Sequence, residues 1–293
     1  MNVGVIGFGK MGSGVASRLC AGGHTVYGFN RHVEAVHRVE GVKIATSLES
    51  LVAGLPAPRV IWLALPAGEV TEQIIGHLLH LLQAGDTLID AANSHYLTSR
   101  DAHQRCKGAG IHFVDVGVSG GILGKKDGYC LMVGGDEEEV MSLEPIFTSV
   151  AQSDGWALVG PPGMGHYVKM VHNAIEYGLM QAYAEGVSLL EVRPEVLPAS
   201  EIVRLWQHGS IIQSKIGQLL GEASWAGLLP DVPSSGEAAW ALGEGLRQGL
   251  PLPVTSAAVA VRLQSQGRGM GQWRVLASLR KAFGGHSAPE ERA

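Results

Sequence analysis

The N-terminal stretch constrains this chain more than any other. Residues 3–6, Val-Gly-Val-Ile, read as a short strand; Gly7-Phe8-Gly9-Lys10-Met11-Gly12 follows at once, and an amphipathic stretch over 11–21 comes next. A GxGxxG string carries little weight alone. Set between a strand and a helix, it describes the opening turn of a βαβ unit shaped to hold a pyrophosphate. Gly7 allows the tight turn, Gly9 lets the backbone approach the anion, and Gly12 lets helix and strand pack closely. The N–H groups at the helix start face the negative charge. Phe8, Lys10 and Met11 complete this candidate cofactor-binding loop.

The first half keeps the same rhythm. Strand-like runs at 25–29, 60–65, 87–90, 112–116 and 130–133 alternate with helical patterns at 69–82 and 97–107. That alternation predicts an α/β fold, an N-terminal Rossmann-type doubly wound parallel sheet. The breaker cluster Gly160-Pro161-Pro162-Gly163 ends the pattern. Beyond it the chain reads as helical, with a long helix over 165–191 and shorter ones at 199–208, 211–223, 237–248, 254–266 and 271–283. The expected organisation is a dinucleotide-binding domain over 1–161 and a smaller all-helical domain over 162–293.

Composition removes several classes. Apolar residues make up 46% of the chain, enough for a core, so disorder is excluded. The 41 glycines among 293 residues follow no three-residue period, which excludes collagen and leaves turns and close backbone approaches to explain them. With 22 basic against 27 acidic residues and no basic run, nucleic acid is not the expected partner. No apolar stretch approaches the roughly 18 residues of a membrane span, and Met1-Asn2 leads into the first strand without a signal-peptide pattern. Cys20, Cys106 and Cys130 are too scattered for a disulfide framework, so a reducing cytoplasm is the expected location.

The second cofactor contact is also legible. Roughly 20 residues past such a fingerprint, an NAD site places an acidic side chain on the ribose 2′-hydroxyl. This chain has Asn30-Arg31-His32 there. A neutral side chain beside a guanidinium suits a 2′-phosphate, which points to NADP.

The second domain opens with Gly163-Met164-Gly165-His166-Tyr167-Val168-Lys169-Met170-Val171-His172-Asn173-Ala174-Ile175-Glu176-Tyr177. At about 100° per residue, His166, His172, Asn173, Glu176 and Tyr177 all fall within roughly 80° of Lys169. Val168, Met170, Val171, Ala174 and Ile175 occupy the other side, an expected apolar surround. A lysine sunk among such neighbours loses its proton readily and becomes a general base, while Glu176, two turns on, can return a proton elsewhere. The histidines lack the acidic or cysteine partners of a metal set, so no metal is expected; His77 and His80 read as solvated surface.

At this point the sequence resembles the 6-phosphogluconate dehydrogenases of the β-hydroxyacid dehydrogenase superfamily, in their short bacterial form. The pattern GxGHxxKMxHNxIEYG over 163–178, the N-terminal fingerprint, Asn93-Ser94, Val118-Ser119-Gly120-Gly121 and Phe283-Gly284-Gly285-His286 carry the resemblance. It implies oxidative decarboxylation of 6-phosphogluconate to ribulose 5-phosphate and CO2. Lys169 is then the base and Glu176 the acid. Ser119, Gly120 and Gly121 would hold the substrate carboxylate, Asn93, His172 and Asn173 would orient the sugar acid, and Tyr177 would touch its phosphate. Leu65, Pro66, Ala67 and Asn93 would line the cofactor. Arg280 and His286 would reach a neighbouring subunit's site, implying a homodimer or homotetramer whose helical domain carries substrate and dimer contacts.

Some positions depart from the family pattern. Gln213 is expected to stand where the family has a phosphate-binding arginine, and Ser235 and Glu237 where long forms place a lysine and a threonine. Ala91-Ala92 replaces a glycine pair, and Pro66 a lysine. These leave open a different sugar acid or 3-hydroxy acid as substrate and NAD or a deazaflavin as hydride acceptor; a non-catalytic nucleotide-binding protein is the remaining alternative, against which the intact Lys169 and Glu176 pair speaks.

Overall fold

The computed structural model describes residues 1–193, 195–234 and 236–267, together with Gln272 and Val275. Arg280, His286, Ser235 and most of the helix expected over 271–283 lie outside the described residues. The chain divides into two compact units, Met1–Val171 and His172–Ala293.

In order, the first unit contains β1 (Asn2–Ile6), α1 (Lys10–Ala21), β2 (Thr25–Phe29), α2 (Glu34–His37), β3 (Lys43–Ile44), α3 (Leu48–Gly54), β4 (Val60–Leu63), α4 (Glu69–Leu81), β5 (Thr87–Asp90) and α5 (Tyr96–Gly108). There follow β6 (His112–Ser119), a 3-10 turn at Gly121–Leu123, α6 (Gly124–Asp127), β7 (Tyr129–Gly134), α7 (Glu137–Ser142), α8 (Glu144–Val150) and β8 (Ala151–Gly160). The eight strands form one sheet in the order β3-β2-β1-β4-β5-β6-β7-β8. Every pair is parallel except β6 with β7. Successive strand residues face opposite sides. Val5, Trp62, Ile89 and Val114 accordingly join α1 and α8 in one core. Ile6, Ile61, Leu63 and Leu88 join α3, α4 and α5 in another. The expected Rossmann-type doubly wound architecture is what the chain adopts.

The sequence pattern did not reveal β8. Its start, Gln152-Ser153-Asp154-Gly155, has the composition of a loop, and Asp154 adopts a positive φ of 57°. A register break opposite Tyr129 and Leu131 absorbs that irregularity, and Trp156 to Leu158 then pair regularly with β7.

A long helix, α9 (Met164–Glu191), has its first eight residues in the first unit and the rest in the second. The second unit continues with α10 (Ala199–Trp206), α11 (Lys215–Glu222), α12 (Glu237–Gln248) and α13 (Pro253–Ser265). α11 starts later than the expected 211 because Ser214 caps it, its Oγ accepting from the Gly217 N–H. Val187 of α9 packs with Ala199 and Val203 of α10, and Tyr177 with Ala238 of α12 and Ala258 of α13. No helix among the described residues is long and apolar enough to cross a membrane.

Candidate active site

In an open α/β sheet, ligands bind beyond the carboxyl ends of the strands where the strand order reverses. Here that point lies between β1 and β4. The fingerprint follows β1, Asn30-Arg31-His32 follows β2, Leu65-Pro66-Ala67 follows β4, and Asn93 follows β5. The fold therefore gathers every expected cofactor residue at one end of the sheet.

The loop geometry suits a pyrophosphate. Gly7 has φ of +97°, and a side chain there would overlap the Ala64 carbonyl; one on Gly12 would overlap the Gly7 carbonyl. A Cβ on Gly9 would meet nothing within 4 Å, so the loop backbone borders open space. α1 begins on Gly9 with no side-chain cap and no acidic residue in its first turn. Its leading N–H groups are thus available to an anion. Within the loop the Phe8 side chain is buried and its N–H donates to Asn30 Oδ1 at 3.0 Å. Asn30 Nδ2 donates to the His32 carbonyl at 2.9 Å. Asn30 thus clamps the fingerprint to the end of β2, while Arg31 and His32 are exposed.

At Ala91-Ala92 the two methyl groups have defined places. Ala91 packs against the core, and Ala92 is buried with its N–H donating to Asp90 Oδ1. Ser94 Oγ donates to Asp90 Oδ2. The Asp90 carboxylate thus shapes the turn that presents half-buried Asn93. Burial pushes Asp90 above the usual carboxylate range, with the nearby His166 charge opposing it.

The start of α9 is seated on β6 and β7 within the first unit. Asp115 of β6 accepts from the Gly163 N–H at 2.6 Å and the His166 N–H at 2.8 Å. His166, fully buried, places Nδ1 2.6 Å from Ser99 Oγ of α5. A Cβ on Gly117 of β6 would overlap the Lys169 Cβ, so only glycine lets the lysine approach the strand. Gly117 lies two residues before Ser119, where β6 ends in the half-buried Ser119 and exposed Gly120 and Gly121. Lys169 is 8% exposed.

Further along α9 the burial of its faces differs from expectation. The polar stripe is the more enclosed one: Asn173 and Tyr177 are buried, and His172 and Glu176 are partly so. Val171 and Ile175, expected to surround the lysine, are 39% and 59% exposed, and Leu179 and Leu189 continue that outward line. The apolar surround is thus only partial, with Met170 and Ala174 buried. His172 Nδ1 lies 3.1 Å from Asn173 Oδ1 and 3.6 Å from Glu176 Oε2, linking three expected site residues on one helix face.

Tyr177 brings in a residue that sequence reasoning missed. The guanidinium of Arg262, on α13, stacks over the Tyr177 ring, and its Nη1 donates to the Pro233 carbonyl. The Tyr177 hydroxyl lies 3.4 Å from Ser234 Oγ. Gln213 sits in the loop before α11 and is exposed.

The family model described as the NAD binding domain of 6-phosphogluconate dehydrogenase matches residues 2–165, and that of the 6-phosphogluconate dehydrogenase C-terminal domain matches residues 165–199. The chain belongs to the 6-phosphogluconate dehydrogenase family. Its N-terminal unit is accordingly an NAD(P)-binding domain. A Haloferax volcanii relative described as an NAD(+)-dependent, decarboxylating 6-phosphogluconate dehydrogenase is 36% identical, with 98% of each chain covered. A Bacillus subtilis relative described as NADP(+)-dependent and decarboxylating is 33% identical over 94% of this chain and 63% of its own. The solved structure of Plasmodium falciparum 6-phosphogluconate dehydrogenase superposes with a TM-score of 0.80 at 24% identity, covering 100% of this chain and 67% of that one; this likeness concerns the fold.

Within this 6-phosphogluconate dehydrogenase framework, sequence reasoning missed Asp115, Gly117 and Arg262. Asp115 carried a signal: a carboxylate inside the apolar run of β6 has to be satisfied by something outside that strand. Gly117 and Arg262 carried none, because their importance comes from approaches between elements far apart in sequence.

Proposed function

We propose that this chain catalyses oxidative decarboxylation of 6-phosphogluconate to ribulose 5-phosphate and CO2, with NADP as hydride acceptor. The observation that carries this reading is the seating of Lys169: a buried lysine held against Gly117, just before the Ser119-Gly120-Gly121 turn, at the cofactor end of the sheet. Held by the Gly7–Gly12 loop, NADP would supply the hydride acceptor for oxidation at C3 of the substrate.

The residues divide the remaining work. Lys169 in its neutral form removes the 3-hydroxyl proton, and as a cation it stabilises the enolate oxygen that develops when CO2 leaves. Exposed N–H groups of the Gly120-Gly121 turn hold the C1 carboxylate. Asn93, His172 and Asn173 orient the sugar hydroxyls, and Glu176, on the same helix face, protonates the carbon left after decarboxylation. Tyr177 meets the phosphate, and Arg262 supplies the charge that Gln213 does not.

Gly7, Gly9 and Gly12 admit the pyrophosphate, with Lys10 and Met11 flanking it. Arg31 pairs with the 2′-phosphate, and Leu65, Pro66 and Ala67 border the nicotinamide half. The outward apolar line of α9, including Ile175, Leu179 and Leu189, suits a second copy of the chain, and Arg280 and His286 would complete that copy's site. The free thiols Cys20, Cys106 and Cys130 fit a cytoplasmic enzyme.

The test is a matrix of NADP and NAD against 6-phosphogluconate and gluconate, with Lys169→Ala alongside the wild type. The expected result is turnover of the NADP and 6-phosphogluconate pair with release of CO2. Lys169→Ala should abolish it and retain NADP binding. Full activity in Lys169→Ala, or no turnover by the wild type, would refute the reading.

A further inference from the structure

α9 is 28 residues long, and no residue of its first turn is acidic. The negative charge that a helix N-terminus favours comes from a distant strand. Asp115 is wholly buried in β6, opposite Gly134 of β7, and its two carboxylate oxygens take the N–H groups of Gly163 and His166. The His166 ring, beside Ser99 of α5, gives the same turn a second anchor, and its Nδ1 is 3.9 Å from Asp115. The packing leaves little play. A Cβ on Gly165 would lie 2.5 Å from the Met132 carbonyl, and one on Gly134 would lie 2.6 Å from the Asp115 carboxylate.

Lys169 comes one turn after this anchored start and meets Gly117, two residues beyond Asp115 on the same strand. The strand that caps the helix is therefore the strand on which the lysine rests. We infer that Asp115 is a positioning residue: by capping α9 from β6 it sets where Lys169 stands relative to the Ser119-Gly120-Gly121 turn, without touching substrate. The inference rests on the functional reading above.

The chemistry requires a carboxylate. Two N–H donors converge on the side chain, and a carboxylate offers two acceptors, whereas an amide offers one acceptor and a donor. Asp115→Asn thus sets an N–H against an N–H at the helix start, and relief comes by shifting the first turn.

The test compares Asp115→Asn and Ser99→Ala with the wild type in the full chain. For Asp115→Asn, kcat is expected to fall about 10- to 100-fold, because a displacement on the order of 1 Å has that effect on a positioned catalytic group. KM for the sugar acid and Kd for NADP should stay within about twofold of wild type. Amide hydrogen exchange over 163–170 should rise about tenfold or more, with β1 and β4 unchanged. Ser99→Ala should move both readouts in the same direction by less. Wild-type kcat and exchange in Asp115→Asn would overturn the proposal; so would a joint loss of kcat, KM and NADP affinity with faster exchange throughout the first unit, which marks general destabilisation. Should Asp115→Asn not fold, Ser99→Ala decides by the same criteria. A wild type inert toward every sugar acid would defeat the functional reading, and localised exchange would then decide the placement of α9 alone.

Discussion

The guanidinium carbon of Arg262 lies 3.5 Å from the centroid of the Tyr177 ring. Stacking of this kind fixes a planar cation against an aromatic face. The Pro233 carbonyl and the Met180 sulfur hold the two Nη groups, so the side chain has one defined placement. A charged group paired with a phosphate contributes roughly 1.5–3 kcal/mol, or about 10- to 150-fold in affinity. Arg262→Gln should therefore raise KM for 6-phosphogluconate about tenfold or more and leave turnover of unphosphorylated gluconate nearly unchanged. Steady-state kinetics on both substrates measure this. Equal losses on the two would show that Arg262 acts only as structural support for Tyr177.

Arg31 and Asn30 should separate cleanly. Arg31 is exposed, and no acidic side chain pairs with it among the described residues, whereas Asn30 ties Phe8 to His32. Arg31→Ala is expected to lower kcat/KM for NADP about tenfold or more and to spare NAD, since only NADP carries the phosphate. Asn30→Ala should weaken both cofactors alike, because it loosens the loop they share. Steady-state kinetics with each oxidised cofactor give the comparison. An Arg31→Ala variant that keeps its NADP preference would remove the basis for that preference.

Local pattern carried the fold far. The strand–glycine–helix opening, the alternation up to residue 160 and the polar face of α9 are all short-range features, and each leads to an element the structure contains. β8 escaped because Ser153-Asp154-Gly155 has loop chemistry, and its pairing with β7 is a tertiary fact. The burial of α9 escaped for a related reason. Periodicity divides a helix into faces but does not say which face the protein covers, and here Asn173 and Tyr177 are buried while Ile175 is exposed. Arg262 is separated from Tyr177 by three further helices, a juxtaposition no spacing rule foretells.

The thiols should differ in reactivity with pH. Burial pushes the Cys106 thiol up to about 11, and raises that of half-buried Cys20, whereas Cys130 is exposed on β7. The thiolate is the reacting form, so at pH 8 only about one Cys106 in a thousand is reactive even before access is considered. Raising pH increases that fraction, and it reaches one half only near pH 11, where the thiol's raised value lies. Iodoacetamide at pH 8 should label Cys130 in the folded protein and leave Cys106 unmodified, with urea making Cys106 reactive. Mass spectrometry of the peptides reads the result; prompt native-state labelling of Cys106 at pH 8 would contradict its burial.

Asp86 offers a test of stability far from the cofactor end. Its side chain is completely buried just before β5 and accepts from the Arg59 backbone N–H at 2.7 Å, the Arg59 guanidinium at 3.1 Å and the Gln83 N–H at 2.9 Å. Arg59 is itself only 18% exposed, so little water is available to replace a lost partner. Removing one side of such a pair leaves an uncompensated charge and unsatisfied N–H groups, a cost of about 3–5 kcal/mol. Asp86→Ala should accordingly lower the urea midpoint by about 1–2 M with an unchanged slope. Asp86→Asn keeps the shape and one acceptor and should fall between. The double variant Arg59→Met/Asp86→Leu removes both charges together and should recover part of the loss, the part due to the stranded guanidinium. Urea unfolding followed by tryptophan fluorescence gives all three values, and a double variant no more stable than Asp86→Ala would locate the damage in the Gln83 and Arg59 backbone bonds.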